Sequence, residues 1–151
     1  MAHHRIEMRS YRFVGGAMLA LSGLGSLLAL ADGERQAALG LAIAALVGLY
    51  QLFAAGFFVI DEQGIAHQSA FGRWRILWRE VGYVEIGAAD GSMVFHAGEK
   101  QFVLSPPQWW PNDARANALE YLYAQIEAHK LPMRQTRSAA FKVMRGTRVT
   151  A

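Results

Sequence analysis

Residues 13–31, FVGGAMLALSGLGSLLALA, and residues 36–60, QAALGLAIAALVGLYQLFAAGFFVI, contain no charged side chain. At a rise of ~1.5 Å per residue the shorter stretch extends about 28 Å as a helix, close to the ~30 Å hydrocarbon core of a bilayer. Both are long enough to span. A chain of 151 residues that is 53% hydrophobic is also too apolar on average for a small soluble domain. Arg5, Arg9 and Arg12 precede the first stretch and Ala29-Leu30-Ala31 closes it, which resembles a secretory signal with its cleavage site. That apolar run exceeds the ~7 to 15 residues of a signal core, and a second run begins five residues later, so the first helix is expected to be retained.

Only Asp32, Gly33, Glu34 and Arg35 separate the two stretches, so they are expected to form an antiparallel transmembrane hairpin over residues 13–56. Lipid supplies no hydrophobic drive for helices to associate, and close contact relies on small residues that let backbones approach. Gly40, Ala44 and Gly48 recur every four residues on the second helix, and Gly16, Ala20 and Gly23 make a looser small face on the first. These six positions are the expected packing seam within the hairpin, the alternatives being a contact with another protein or no packing role.

Orientation follows from lysine and arginine close to the spans. Arg5, Arg9 and Arg12 lie on the N-terminal side, Arg35 alone lies in the loop, and Arg73, Arg75 and Arg79 follow the second span. Both termini are therefore expected on the cytoplasmic side, with residues 1–12 as a cytoplasmic segment. The chain has no cysteine, which fits a reducing compartment without proving one.

Beyond the second stretch the texture changes to short β-rich runs broken by turn signals. Phe57 to Ile60 is followed by Asp61-Glu62-Gln63-Gly64, then Ile65 to Ala70, Phe71-Gly72, and Arg73 to Trp78. Tyr83 to Ile86, Ser92 to His96 and Gln101 to Ser105 are separated by Ala88-Ala89-Asp90-Gly91 and Ala97-Gly98-Glu99-Lys100. Gaps of this length with Asp-Gly or Gly mark hairpins, so an antiparallel meander of six strands is expected. Pro111, Asn112 and Asp113 then signal a helix start, and Ala118, Leu119, Leu122, Tyr123 and Ile126 recur at helical spacing. That stripe is expected on the sheet, with Arg115, Glu120, Glu127 and Lys130 in water and Pro132 ending the helix. The fold class is thus a membrane α-hairpin plus an α+β domain over residues 57–132, strands first and one helix last.

An apolar hairpin followed by FFVIDEQGIAHQSAFGRWRILWREVGYVEI, by SMVFHAGEKQFVLS and by one C-terminal helix resembles the bacterial pleckstrin-homology-like domains of small inner-membrane proteins, those called YcxB-like among them. Asp61-Glu62-Gln63-Gly64-Ile65, Ile76-Leu77-Trp78-Arg79-Glu80-Val81 and Phe102-Val103-Leu104 carry the resemblance, which covers about residues 14 to 131. It implies a partly open barrel or bent sheet capped by a helix, in the bacterial inner membrane, and brings no catalytic residues with it. Trp109-Trp110 and the chain after residue 132 have no counterpart in it.

In the segment FGRWRILWRE, strand alternation puts Trp74, Ile76 and Trp78 on one face and Arg73, Arg75, Leu77 and Arg79 on the other. The tryptophan face belongs in the core, where each buried indole N–H needs an acceptor. The arginine face is either a solvated surface, a contact for anionic headgroups, worth ~1 kcal/mol per basic group near the leaflet, or a contact for an acidic partner. Nucleic acid is not indicated: residues 61–132 hold six basic against nine acidic side chains, and the excess positive charge lies in residues 133–151. There Arg134, Arg137, Lys142, Arg145 and Arg148 occur with no acid among them, interrupted by Phe141, Val143, Met144 and Val149. Such a cationic tail suits anionic lipid or an acidic protein surface, or is simply solvated. Trp109-Trp110 either plugs the end of the sheet or serves as an aromatic anchor for a partner or the membrane interface, and Tyr11, Phe13, Tyr50 and Phe53 are further belt candidates.

Signals for chemistry are sparse. His3, His4, His67, His96 and His129 show no metal-site spacing. Asp61 and Glu62, if on a strand, point to opposite faces and do not form an acid–base pair. No nucleophile elbow or phosphate loop is present, and neither span carries an ionisable group of the kind a pump or channel needs. The expected function is therefore a non-enzymatic, cofactor-free membrane-anchored module. It would be an accessory subunit, assembly factor or scaffold partnering other integral membrane proteins. The alternative is a module that binds anionic headgroups of membrane lipids through Arg73, Arg75, Arg79 and the tail.

Overall fold

The structure, a computed structural model, describes residues 4–137. They form two compact units, a helical one from Met8 to Ala55 and a β-rich one containing residues 4–7 and 56–137. Lys142, Arg145 and Arg148 of the basic tail lie outside the described residues.

The helical unit is an antiparallel pair, α1 (Arg9–Ala31) and α2 (Arg35–Ala54). Both are long and apolar enough to cross a membrane. Their contact is tightest where Gly15 meets Gly48: a Cβ on Gly48 would lie 2.6 Å from the Leu19 nitrogen and 2.8 Å from the Gly15 carbonyl oxygen. The line continues through buried Ala45 and Ala38, whose carbonyl accepts a 2.8 Å hydrogen bond from Ser26 Oγ. Ala38 and Ala45, like Leu41 and Gly48, are seven residues apart, the repeat that keeps one stripe on a partner helix.

The expected seam is therefore only partly the real one. Positions four apart rotate by about 40° per step in a 3.6-residue helix, so a row that includes Gly48 has left the interface two steps earlier. Gly40 is exposed, and a Cβ there would meet nothing within 4 Å; the same holds of Gly23. Ala20 is exposed, Ala44 is half-buried, and Gly16 lies beside the contact, near Leu52, while its neighbour Gly15 makes it. Large apolar side chains point outward, with Phe13 78%, Leu21 74% and Leu27 69% exposed.

The β-rich unit holds two four-stranded sheets. Sheet A is a meander of β1 (His4–Glu7), β2 (Phe57–Ile60), β3 (Gly64–Ser69) and β4 (Gly72–Leu77), all antiparallel. Sheet B has the order β7-β6-β5-β8, from β5 (Tyr83–Gly87), β6 (Met93–Ala97), β7 (Lys100–Leu104) and β8 (Met133–Thr136), with β8 parallel to β5. Between β7 and β8 runs α3 (Asn112–Ala128). Among the described residues the strands number eight rather than six. β1 shows one apolar residue, fully buried Ile6, among polar neighbours, and its partner β2 lies beyond both helices. β8 is a largely exposed edge strand, Met-Arg-Gln-Thr, and needs no apolar alternation. The N-terminal segment and the first residues after Pro132 thus belong to the sheets.

The core lies between the two sheets. Phe58 of sheet A meets Phe102 of sheet B edge to face at 6.0 Å, and Trp78 meets Phe95 at 5.9 Å. α3 buries Ala118, Leu122 and Ile126, spaced four apart, and packs on β1, where Tyr121 meets His4 at 4.8 Å. Tyr123, expected on this stripe, is 43% exposed, as it lies about 100° around the helix from Leu122. β2 begins at Gly56 with φ +39°, where any side chain would collide with the Gln68 carbonyl; glycine alone makes this corner without strain.

Candidate functional site

The segment FGRWRILWRE turns out to serve three separate places. β4 ends at Leu77, and Trp78–Glu80 turn away as a short 3-10 helix. Ile76 and Trp78 are buried, and the Trp78 indole Nε1 donates to the Asp61 carbonyl at 2.8 Å. Trp74 is half-buried beside His67, its cross-strand partner, at 5.7 Å, and Phe58 closes the other side of His67 at 4.6 Å. Burial pushes the His67 imidazole down to about 4 from its ordinary 6.5, since a charged ring between aromatics loses its hydration.

The expected arginine face does not exist as one surface. Arg73 is exposed near the Ala70–Phe71 turn, at the end of sheet A where β1 finishes and β2 starts. Arg75 donates through Nη2 to both Asp61 oxygens, at 2.9 and 2.8 Å, and to Gln63 Oε1 at 3.2 Å, so its charge is committed within the fold. Arg79 is exposed at the opposite end of the sheet. Six residues at ~3.3 Å each put roughly 20 Å between the ends of β4.

That far end carries a cleft of about 370 Å³ lined by Glu62, Gln63, Leu77, Trp78, Arg79 and His129. Asp61 and Glu62 sit in the β2–β3 turn rather than on a strand. The Asp61 carboxylate turns inward and accepts the Gln63 and Gly64 amides at 2.9 Å each, leaving exposed Glu62 on the cleft wall. His129 follows α3 directly, its amide donating to Gln125 O, and its ring stacks on Trp78 at 6.0 Å and 21°. Neither Glu62 nor Arg79 makes an ion pair among the described residues. Burial, and then the charges of Glu62 and Asp61, raise the Tyr121 hydroxyl above its ordinary value.

The remaining expected residues are dispersed. Trp110 is buried, its Nε1 donating to Ser105 O at 3.0 Å and Oγ at 3.1 Å, whereas Trp109 is 42% exposed. The pair therefore divides between plug and surface. Arg115, expected in water, is half-buried and donates to the Gln108 and Trp110 carbonyls at 3.1 Å. Arg134 is a β8 residue whose guanidinium lies 4.4 Å above the Tyr83 ring, and the other face of Tyr83 stacks on His96 at 4.2 Å. Arg137 is exposed, and its carbonyl accepts from the Ala89 amide. His96 Nε2 meets Glu85 Oε2 at 2.6 Å. Among the described residues, no three His, Asp or Glu side chains gather as metal ligands would.

No protein-family model matches the chain, and no curated protein or solved structure is found similar to it. Glu62, Gln63 and His129 were not singled out by sequence as partners of Arg79. His129 is distant in the chain from Trp78, and only the closing of α3 over the sheets joins them.

Proposed function

We propose that the chain is a non-enzymatic inner-membrane protein whose helical pair anchors a cytoplasmic pleckstrin-homology-like head and acts as an accessory subunit, assembly factor or scaffold for other membrane proteins. The observation that carries this is the outward face of the helical pair. Leu21, Leu24, Leu27, Leu30, Leu39 and Leu46 are each at least 60% exposed, a continuous apolar surface that is unfavourable in water and satisfied by acyl chains or a partner's spans. The head's two sheets and the helix that follows β7 support the pleckstrin-homology-like comparison, with β8 added after that helix as a parallel edge strand, and the arginine distribution supports cytoplasmic termini.

Membrane fractions washed with alkaline carbonate test the anchor: the full chain should stay in the pellet. A cysteine at Gly33 should be labelled by an impermeant maleimide on spheroplasts, and one at Gln68 should not. Release by carbonate, or labelling at position 68 alone, would sink the proposal.

A second reading is favoured by one local arrangement. Phe71, 43% exposed, and Arg73 share the end of sheet A at which β1 leaves and β2 enters. An apolar tip beside a free cation suits anionic headgroups. Salt-sensitive binding to phosphatidylglycerol vesicles that falls with Arg73→Gln would favour it.

A further inference from the structure

The cleft at the far end of sheet A has two properties that together specify a ligand. Its walls carry opposite charges, exposed Glu62 and exposed Arg79, which line one cavity and make no ion pair among the described residues. Its floor is aromatic, formed by Trp78 and the His129 ring stacked on it. Trp78 is held in place: it is 1% exposed and tied through its indole nitrogen to the Asp61 carbonyl, and Asp61 is itself fixed by Arg75 and by the turn amides. The cleft is therefore rigid where it is apolar and open where it is charged.

We propose that this cleft binds a small zwitterion, with an ammonium group on the Glu62 carboxylate beside the exposed His129 ring and an oxyanion on Arg79, the two joined by a short carbon link over Leu77. An ammonium group makes its strongest contact with a carboxylate. A guanidinium presents a fork matched to carboxylate or phosphate oxygens. A cavity of about 370 Å³ stands at the small end of ligand pockets, which fits an amino acid or a phosphorylated amino alcohol and not a nucleotide or a folded partner. Like-charged dianions meet Glu62 and are disfavoured. This site does not depend on how the head is anchored, and the carbonate and labelling results above are unaffected by it.

The test is a titration of the full chain in maltoside micelles, following the Trp78 indole N–H resonance and the heat of binding. O-phosphoethanolamine and β-alanine supply the zwitterion with a phosphate and a carboxylate respectively; ethylamine and inorganic phosphate supply the halves. At least one zwitterion should bind about tenfold or more tightly than either half, as expected when two charge-assisted contacts act together, and the better of the two identifies the oxyanion. Arg79→Gln and Glu62→Gln should each remove that advantage, Arg79→Lys should restore part of it, and Arg73→Gln should leave it intact. Absence of a Trp78 response to both zwitterions, equal binding of halves and whole, or indifference to both cleft substitutions would overturn the assignment.

Discussion

Arg75 Nη2 lies 2.9 Å from Asp61 Oδ1 and 2.8 Å from Oδ2, while the same carboxylate accepts two turn amides. One residue thus fixes the β2–β3 turn and neutralises an inward arginine through its carboxylate, and positions Trp78 through its backbone carbonyl. Removing it leaves Arg75 half-buried without its counter-charge. Asp61→Ala should destabilise the head by about 2 kcal/mol, the scale of losing hydrogen bonds to a charged group. Asp61→Asn, which keeps the turn acceptor, should cost about half as much. Urea unfolding in micelles, followed by tryptophan emission, checks both.

His67 predicts an acid weakness of the head. Its folded value of about 4 lies below the ordinary 6.5, so the unfolded chain takes up the proton first as pH falls. The stability from keeping this ring neutral is complete above about 6.5 and is lost progressively down to about 4, below which both states are protonated. At ~1.4 kcal/mol per unit the loss is at most on the order of 3 kcal/mol. The melting temperature should fall across that window in the wild type and should flatten in His67→Phe; an unchanged slope in the variant would refute the assignment.

The helical pair should distinguish two glycines that look alike in sequence. Gly48→Ala forces a methyl against the Leu19 amide and the Gly15 carbonyl, and overpacking of this kind costs about 1 to 3 kcal/mol. Gly40→Ala meets open space and should gain ~0.5 to 1 kcal/mol from helix propensity. Heating in detergent with proteolysis as readout should order them G40A, wild type, G48A.

The paired tryptophans should separate in the same way. Trp110→Ala empties a buried site and removes the donor to Ser105, with an expected cost of about 3 to 5 kcal/mol. Trp109→Ala should stay within about 1 kcal/mol. Similar losses at both positions would show that Trp109 is not the surface member.

Much of the fold was legible from local pattern. The two uncharged runs, the turns at Asp61–Gly64 and at Gly98, and the start of α3 beyond Pro111 all carry their signals within a few residues. What was not legible depended on distance along the chain. β1 pairs with a strand on the far side of two helices, and β8 is a largely exposed edge strand, so neither imprints an apolar rhythm. The arginines of β4 illustrate the site-level limit: alternation correctly pairs Arg73 with Arg75 on one face, but it says nothing of Asp61 capturing one of them, nor of the chain leaving the sheet before Arg79. The zwitterion cleft was out of reach because its floor joins Trp78 to His129 through tertiary packing alone.

The pairing of β1 with β2 bears on how the protein is made. His4 to Glu7 leave the ribosome first, yet no partner for them exists until both apolar helices and Gly56 have been synthesised. During that interval the first strand stays unpaired. Completion of the first sheet therefore waits on the antiparallel helical pair, whose return course brings β2 back to β1.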